Sequence, residues 1–181
     1  PTERIYERVE QGIVDVAVVG GPTAGERFEV RRLCRDRLVL IAHPRHPLAD
    51  RADLALDEVA RAELILPETG SRMRALVEHA LREARLAIRP RLVVSGTEAI
   101  KRAVASRLGV GFVSVYAVTE EVRAGVLRVI PLRRADLSRD YDLIRRKERY
   151  VSPALQAFVD FALEQGTRLK PDLPAPHKKM Q

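Results

Sequence analysis

Two short turns concentrate the groups that could hold a ligand. The first is Glu68-Thr69-Gly70-Ser71, followed by Arg72 and Arg74; the second is Ser95-Gly96-Thr97. Each stands just before an apolar pattern of helical period. Met73, Leu76, Val77, Ala80, Leu81 and Ala84 trace one stripe, and Ile100, Ala103, Val104 and Leu108 trace another. The first N–H groups of a helix lack partners within it, so a helix N-terminus attracts anions. Hydroxyls and a guanidinium beside those amides would add directed hydrogen bonds to a carboxylate or phosphate. The chemistry on offer is therefore binding rather than bond making. Plain capping explains the same residues: Ser71 suits an N-cap, and Ser95 with Glu98 fits the S-x-x-E capping box. The two explanations are compatible, because a loop can cap a helix and still present free amides.

Other chemistries find little support. There is no G-x-S-x-G, no phosphate-binding P-loop and no H-E-x-x-H. Gly109-Val110-Gly111 follows a helix rather than a strand, so it is not a dinucleotide fingerprint. His43-Pro44-Arg45-His46 offers two histidines in a proline loop with no second ligand cluster, which is poor support for zinc. No metal and no cofactor is expected. Cys34 reads as a small buried hydrophobe, and Asp15, inside a strand, as a structural acceptor. Ser114 ends a strand; a hydroxyl facing a ligand and a hydroxyl bonded to backbone suit it equally.

The elements that must position these turns alternate. A helix begins almost at Pro1, with Ile5, Val9 and Tyr6 on its inner face. A strand over 13–19 follows and breaks at Gly20, Gly21 and Pro22. Residues 28–34 and 37–42 read as two strands with Arg35 and Asp36 between them. A short helix carries Leu56 and Val59, capped by Asp53 or Asp57, before a strand over 64–66. After the first ligand turn and its helix, residues 92–118 read as strand, helix, strand. That spacing makes a parallel right-handed βαβ unit, with Gly109 as the left-handed cap of its helix. A short helix at 117–122 and strands over 126–130 and 140–144 follow. Ser152-Pro153 opens a last helix with Leu155, Phe158, Val159 and Ala162 facing inward. The alternation predicts an α/β fold with largely parallel strands. Residues 166–181 read as a mobile tail.

Composition bounds the answer. The chain has 181 residues, 46% hydrophobic and 31% charged, which suits a buried core rather than disorder. The net charge of +7 comes from scattered arginines among 25 acids, with 4% aromatics, so it reads as solvated surface and not as a nucleic-acid stripe. No apolar run approaches a membrane span, and a single cysteine fits a reducing, cytoplasmic setting.

With these elements in order, the chain resembles the C-terminal effector-binding domain of LysR-type transcriptional regulators. The resemblance covers about 2–163. It is carried by VDVAVVGG at 14–21, LVLIAHPRHPLA at 38–49 and ETGS at 68–71 with Arg74. TEAIKRAVASRLGVGFVS at 97–114, GVLRVIPL at 125–132 and RYVSPALQAFVDFAL at 149–163 complete it. ETGSRMR and TEAIKRAV resemble the branch of Calvin-cycle and sulfur-assimilation regulators. The resemblance implies two Rossmann-like lobes, similar to type 2 periplasmic binding proteins, with a small anionic metabolite held between them. It implies lobe II at 22–114 and lobe I at 1–21 plus 115–165, with lobe I short of its opening strand–helix–strand. Hinges then fall at Gly20, Gly21, Pro22 and Val115. The implied effector-binding residues are Thr2, Thr69, Gly70, Ser71, Arg72, Arg74, Ser95, Gly96, Thr97 and Ser114. A non-enzymatic, dimeric sensor follows, which meets DNA only through an N-terminal domain that this sequence does not show. The competing expectations are a free-standing or periplasmic-type solute binder, an α/β enzyme, and a regulator-derived remnant.

Overall fold

The computed structural model describes residues 2–20 and 25–171, apart from the side chains of Thr2 and Glu3. Their packing divides the chain into two compact units. One holds the residues up to Asp36 together with Ser138–Lys170, and the other holds Arg37–Leu137.

The second unit is built on a mixed sheet. β2 (Phe28–Ala42) enters it at Arg37. After α2 (Leu56–Arg61) come β3 (Leu64–Pro67), α3 (Arg72–Glu83), β4 (Leu92–Val94), α4 (Thr97–Ala105) and β5 (Val110–Ser114). β3 pairs in parallel with β4 on one side and with β5 on the other. The expected βαβ unit is therefore present, with β3 lying between its two strands. β2 runs antiparallel to β5 and also to β6 (Arg128–Ile130), which follows a 3₁₀ turn at Val115–Ala117 and α5 (Thr119–Arg123). Antiparallel pairs thus equal parallel ones in this unit, and the largely parallel sheet expected from the alternation is corrected. The core explains the arrangement. Leu64, Ile65 and Leu66 are buried on successive residues, as strands covered on both faces are. Met73, Val77 and Leu81 bury one stripe of α3, and Ile100, Ala103 and Val104 one stripe of α4.

The first unit is smaller. α1 (Thr2–Glu10) packs beside β1 (Val16–Gly20), which runs antiparallel to β7 (Ser138–Arg146). Val9, Val19, Phe28 and Ile144 form its buried centre, with the Tyr6 ring 5.5 Å from that of Phe28. α6 (Pro153–Arg168) opens as expected, with the Ser152 hydroxyl accepting from the Leu155 N–H.

Several expectations change. Arg35 and Asp36 do not interrupt β2, which is one strand of 15 residues. The Asp36 carboxylate is buried, and Arg139 Nε donates to it at 2.9 Å, so the strand runs through with its charge satisfied. Gly109 does not cap α4: the left-handed residue is Arg107 (φ 63°), and Gly109 is needed because a Cβ there would strike the Glu63 carbonyl. α2 is capped by neither Asp53 nor Asp57, since the Glu58 carboxylate accepts the Ala55 N–H instead. α6 extends through 166–168, inside the expected tail, and the buried Gly166 lets the helix approach the Leu33 carbonyl. The rest of that tail, 172–181, lies outside the described residues. Val159 is buried as expected, but Phe158 is 54% exposed, not inward. The chain passes between the two compact units at Asp36–Arg37 and at Leu137–Ser138; Gly20 lies within the first unit and Val115 is buried within the second. Gly21 and Pro22 lie outside the described residues. No helix among the described residues is long and apolar enough to cross a membrane.

Candidate functional site

The parallel register decides what meets what. Pro67 is paired with Val94, so β3 and β4 end level with each other. β5 runs in the same direction on the other flank of β3 and ends at Ser114. The turns at 68–71 and 95–96 therefore leave the same end of the sheet side by side. Ligands are commonly held at the carboxyl ends of parallel strands, because the following helices begin there. Thr69, Gly70, Ser71, Ser95, Gly96, Thr97 and Ser114 are all placed at that end.

The two helix N-termini are left open by their caps. Ser71 is the N-cap of α3, as expected, yet its side chain makes no capping hydrogen bond. The N-cap of α4 is Gly96 rather than Ser95, so the capping box with Glu98 is not formed. Gly96 has φ 84°, which only glycine adopts without strain, and a Cβ there would meet nothing within 4 Å. Glu98 pairs instead with Lys101 Nζ at 2.6 Å. The Ser95 hydroxyl crosses to the neighbouring turn and donates to Glu68 Oε1 at 3.2 Å. Glu68, Thr69, Gly70, Ser95 and Gly96 are exposed, and Ser71 and Thr97 are half-buried.

The arginines behave differently from one another. Arg74 is folded against its own helix. Its Nε donates to Glu78 Oε1 at 2.6 Å and its Nη1 to the Pro67 carbonyl at 3.2 Å, leaving the side chain 17% exposed. It fastens α3 to the end of β3. Arg72 lies half-buried in the first turn of α3. The Ser114 hydroxyl accepts from the Tyr116 N–H at 3.2 Å and so caps the 3₁₀ turn. Thr2 starts α1 in the first unit, and its side chain lies outside the described residues.

The remaining candidates lie outside these two turns. His43 and His46 Nδ1 atoms accept the backbone N–H groups of Arg45 and Leu48 and shape the proline loop. Among the described residues no group of three or more His, Cys, Asp or Glu side chains could hold a metal ion. Cys34 is half-buried rather than fully buried as expected; burial, then the charges of Asp36 and Asp140, push its thiol pKa up. The sequence places Glu68 in the first turn without its bond to Ser95, which needs the β3–β4 register, and it leaves unnoticed Glu78, which the i, i+4 spacing from Arg74 could have revealed.

This arrangement, two units with helix N-termini presented at the ends of parallel strands, is that of a ligand-binding domain. The chain belongs to the family described as the LysR substrate binding domain, which matches residues 1–167. Similar relatives are the HTH-type transcriptional activator CmpR of Synechocystis sp., 30% identical over 88% of this chain and 52% of that protein, and the HTH-type transcriptional regulator CbbR of Sinorhizobium medicae, 31% identical over 96% and 56%. The chain thus spans about half the length of the curated relatives it matches. Solved structures of the same fold include the Synechocystis CcmR regulatory domain in complex with 2-PG, with a TM-score of 0.83 at 23% identity over 92% of this chain and 80% of that one. The effector binding domain of QuiR in complex with shikimate has a TM-score of 0.79, also at 23% identity, over 92% and 78%. The expected α/β effector-domain fold stands, and the relatives are regulators rather than enzymes or transport proteins.

Proposed function

We propose that this LysR substrate binding domain senses a small anionic metabolite for a transcriptional regulator, holding it at the shared end of β3, β4 and β5. One observation carries this: α3 and α4 begin side by side, and neither N-cap makes a side-chain hydrogen bond. First-turn amides left open in this way favour negative charge. The CcmR and QuiR domains, which share the fold, are described in complex with 2-PG and with shikimate, and these ligands support a small anion here. Thr69, Gly70, Ser71, Arg72, Ser95, Gly96 and Thr97 line the binding end, with Ser114 beside them. Thr2 would act from the first unit. Arg74 serves by holding the first turn in place.

In the regulator this domain would act in the cytoplasm, as a dimer, alongside a DNA-binding segment such as the names of its HTH-type relatives indicate. The effector would work by binding two conformations of the protein with different affinity, since equal binding to both shifts nothing. Isothermal titration with phosphorylated carboxylic acids, sulfate esters and plain carboxylates tests the binding step. The expected result is one site whose affinity for charged ligands falls as salt rises. If none of these anions binds, or if uncharged analogues bind equally well, the proposal fails.

A further inference from the structure

We infer that Glu68 sets the hydrogen-bonding character of the site, turning Ser95 into an acceptor and so selecting small anions that also carry a hydroxyl. The inference rests on the anion-binding proposal above and adds a specificity-determining residue to it.

A serine hydroxyl has one hydrogen and two acceptor lone pairs, whereas a carboxylate only accepts. The bond of 3.2 Å between Ser95 Oγ and Glu68 Oε1 therefore uses the one hydrogen that Ser95 has. Toward a ligand, Ser95 then presents lone pairs alone. It stands directly before Gly96, the N-cap of α4, so an acceptor lies next to the open amides. Glu98, the residue that a capping box would have joined to Ser95, is held by Lys101 at 2.6 Å and does not compete for it. The site consequently has two polarities. The amides of α3 and α4 favour an anionic oxygen, while Ser95 Oγ and the Glu68 carboxylate favour an O–H. A ligand with anionic groups only must either break the Ser95–Glu68 bond or set an acceptor against acceptors, and an unmatched polar contact of this kind costs affinity.

A matched pair of ligands isolates this effect: 3-phosphoglycerate and its 2-deoxy analogue 3-phosphooxypropionate, which differ by one hydroxyl. Both are titrated into the 181-residue chain and into the Glu68→Met and Ser95→Ala variants. Glu68 and Ser95 are exposed, so neither substitution should move the melting temperature. The unsubstituted chain should prefer the hydroxylated ligand by about three- to tenfold, the range one hydrogen bond supplies. In Glu68→Met the freed Ser95 hydrogen can serve an anionic oxygen, so the preference should collapse to about twofold or less. Ser95→Ala should lose it as well. Binding of both ligands without preference, or a preference unchanged in Glu68→Met, overturns this inference and leaves the anion-binding proposal standing. Binding of neither ligand contradicts both.

Discussion

At the scale of single residues, the charges divide into those that build and those that remain for a ligand. Arg74 stands in the first turn of α3, where the family resemblance implies an effector contact. Its guanidinium donates to Glu78 and to the Pro67 carbonyl, two of its five N–H groups. Arg74→Ala should therefore cost stability, about 1–2 kcal/mol, from one charge-assisted and one ordinary hydrogen bond; urea denaturation measures it, and an unchanged midpoint would return Arg74 to the ligand. Asp36 and Arg139 are a stronger case. The Asp36 side chain is fully buried, and Arg139 also donates to the Tyr141 hydroxyl at 2.7 Å with its guanidinium 4.9 Å from that ring. Arg139→Leu would leave a buried charge without this partner and should destabilise the protein by about 3 kcal/mol or more. A loss below 1 kcal/mol would show the pair to be dispensable. The spacing of Arg74 and Glu78 was readable in the sequence. The meetings of Asp36 with Arg139 and of Ser95 with Glu68 were not, since each needs a strand pairing that brings distant residues together.

At the scale of elements, the helices and the βαβ order were legible because period and turn chemistry agree. Ser71 before the α3 stripe and Ser152-Pro153 before α6 are local signals, and the structure honours both starts. Errors arose where tertiary packing overrode a local pattern. Arg35-Asp36 resembles a turn, yet the Arg139 partner lets β2 continue. Ser95–Glu98 resembles a capping box, yet each side chain finds a partner elsewhere. Phe158 has the spacing of an inward residue and is exposed. Lys101 shows how two helices are fastened. Its Nζ reaches Glu98 and Glu121 at 2.6 Å each and the Ala117 carbonyl at 2.9 Å, tying α4 to the region of α5. Burial works against its charge, but the bonds to Glu121 and Glu98 prevail and raise its pKa, while Glu121, also opposed by burial, is lowered by Lys101. The raised lysine contributes stability that is lost as pH rises through the alkaline lysine range. The lowered Glu121 contributes stability that is lost as pH falls through the carboxylate range. Lys101→Met should lower stability by about 1–3 kcal/mol at neutral pH and flatten both pH limits. Thermal melts across pH check this, and parallel profiles for the two proteins would contradict it.

At the scale of the whole molecule, the two units differ in what holds them. Among the described residues the second unit has 25 buried hydrophobic side chains, against six in the first. Burial scales with stability, so the first unit should open more readily. Hydrogen exchange should be faster in α1 and β1 than in β3 and β5, and equal protection would refute the difference. That asymmetry places the open helix ends of α3 and α4 on the firmer support, as a site that must hold a fixed geometry requires. The family was legible because motifs spread along the chain kept their order. The positions where the chain crosses between units were not, because one lies inside the continuous strand β2 and the other at the very start of β7. The central claim is that a small anion binds at the paired N-termini of α3 and α4. Amide NMR of the chain titrated with 3-phosphoglycerate tests it most directly. The largest shift changes should fall on the amides of 69–73 and 95–99, saturating together. Saturable shifts confined to other residues, or none at all, would contradict the account.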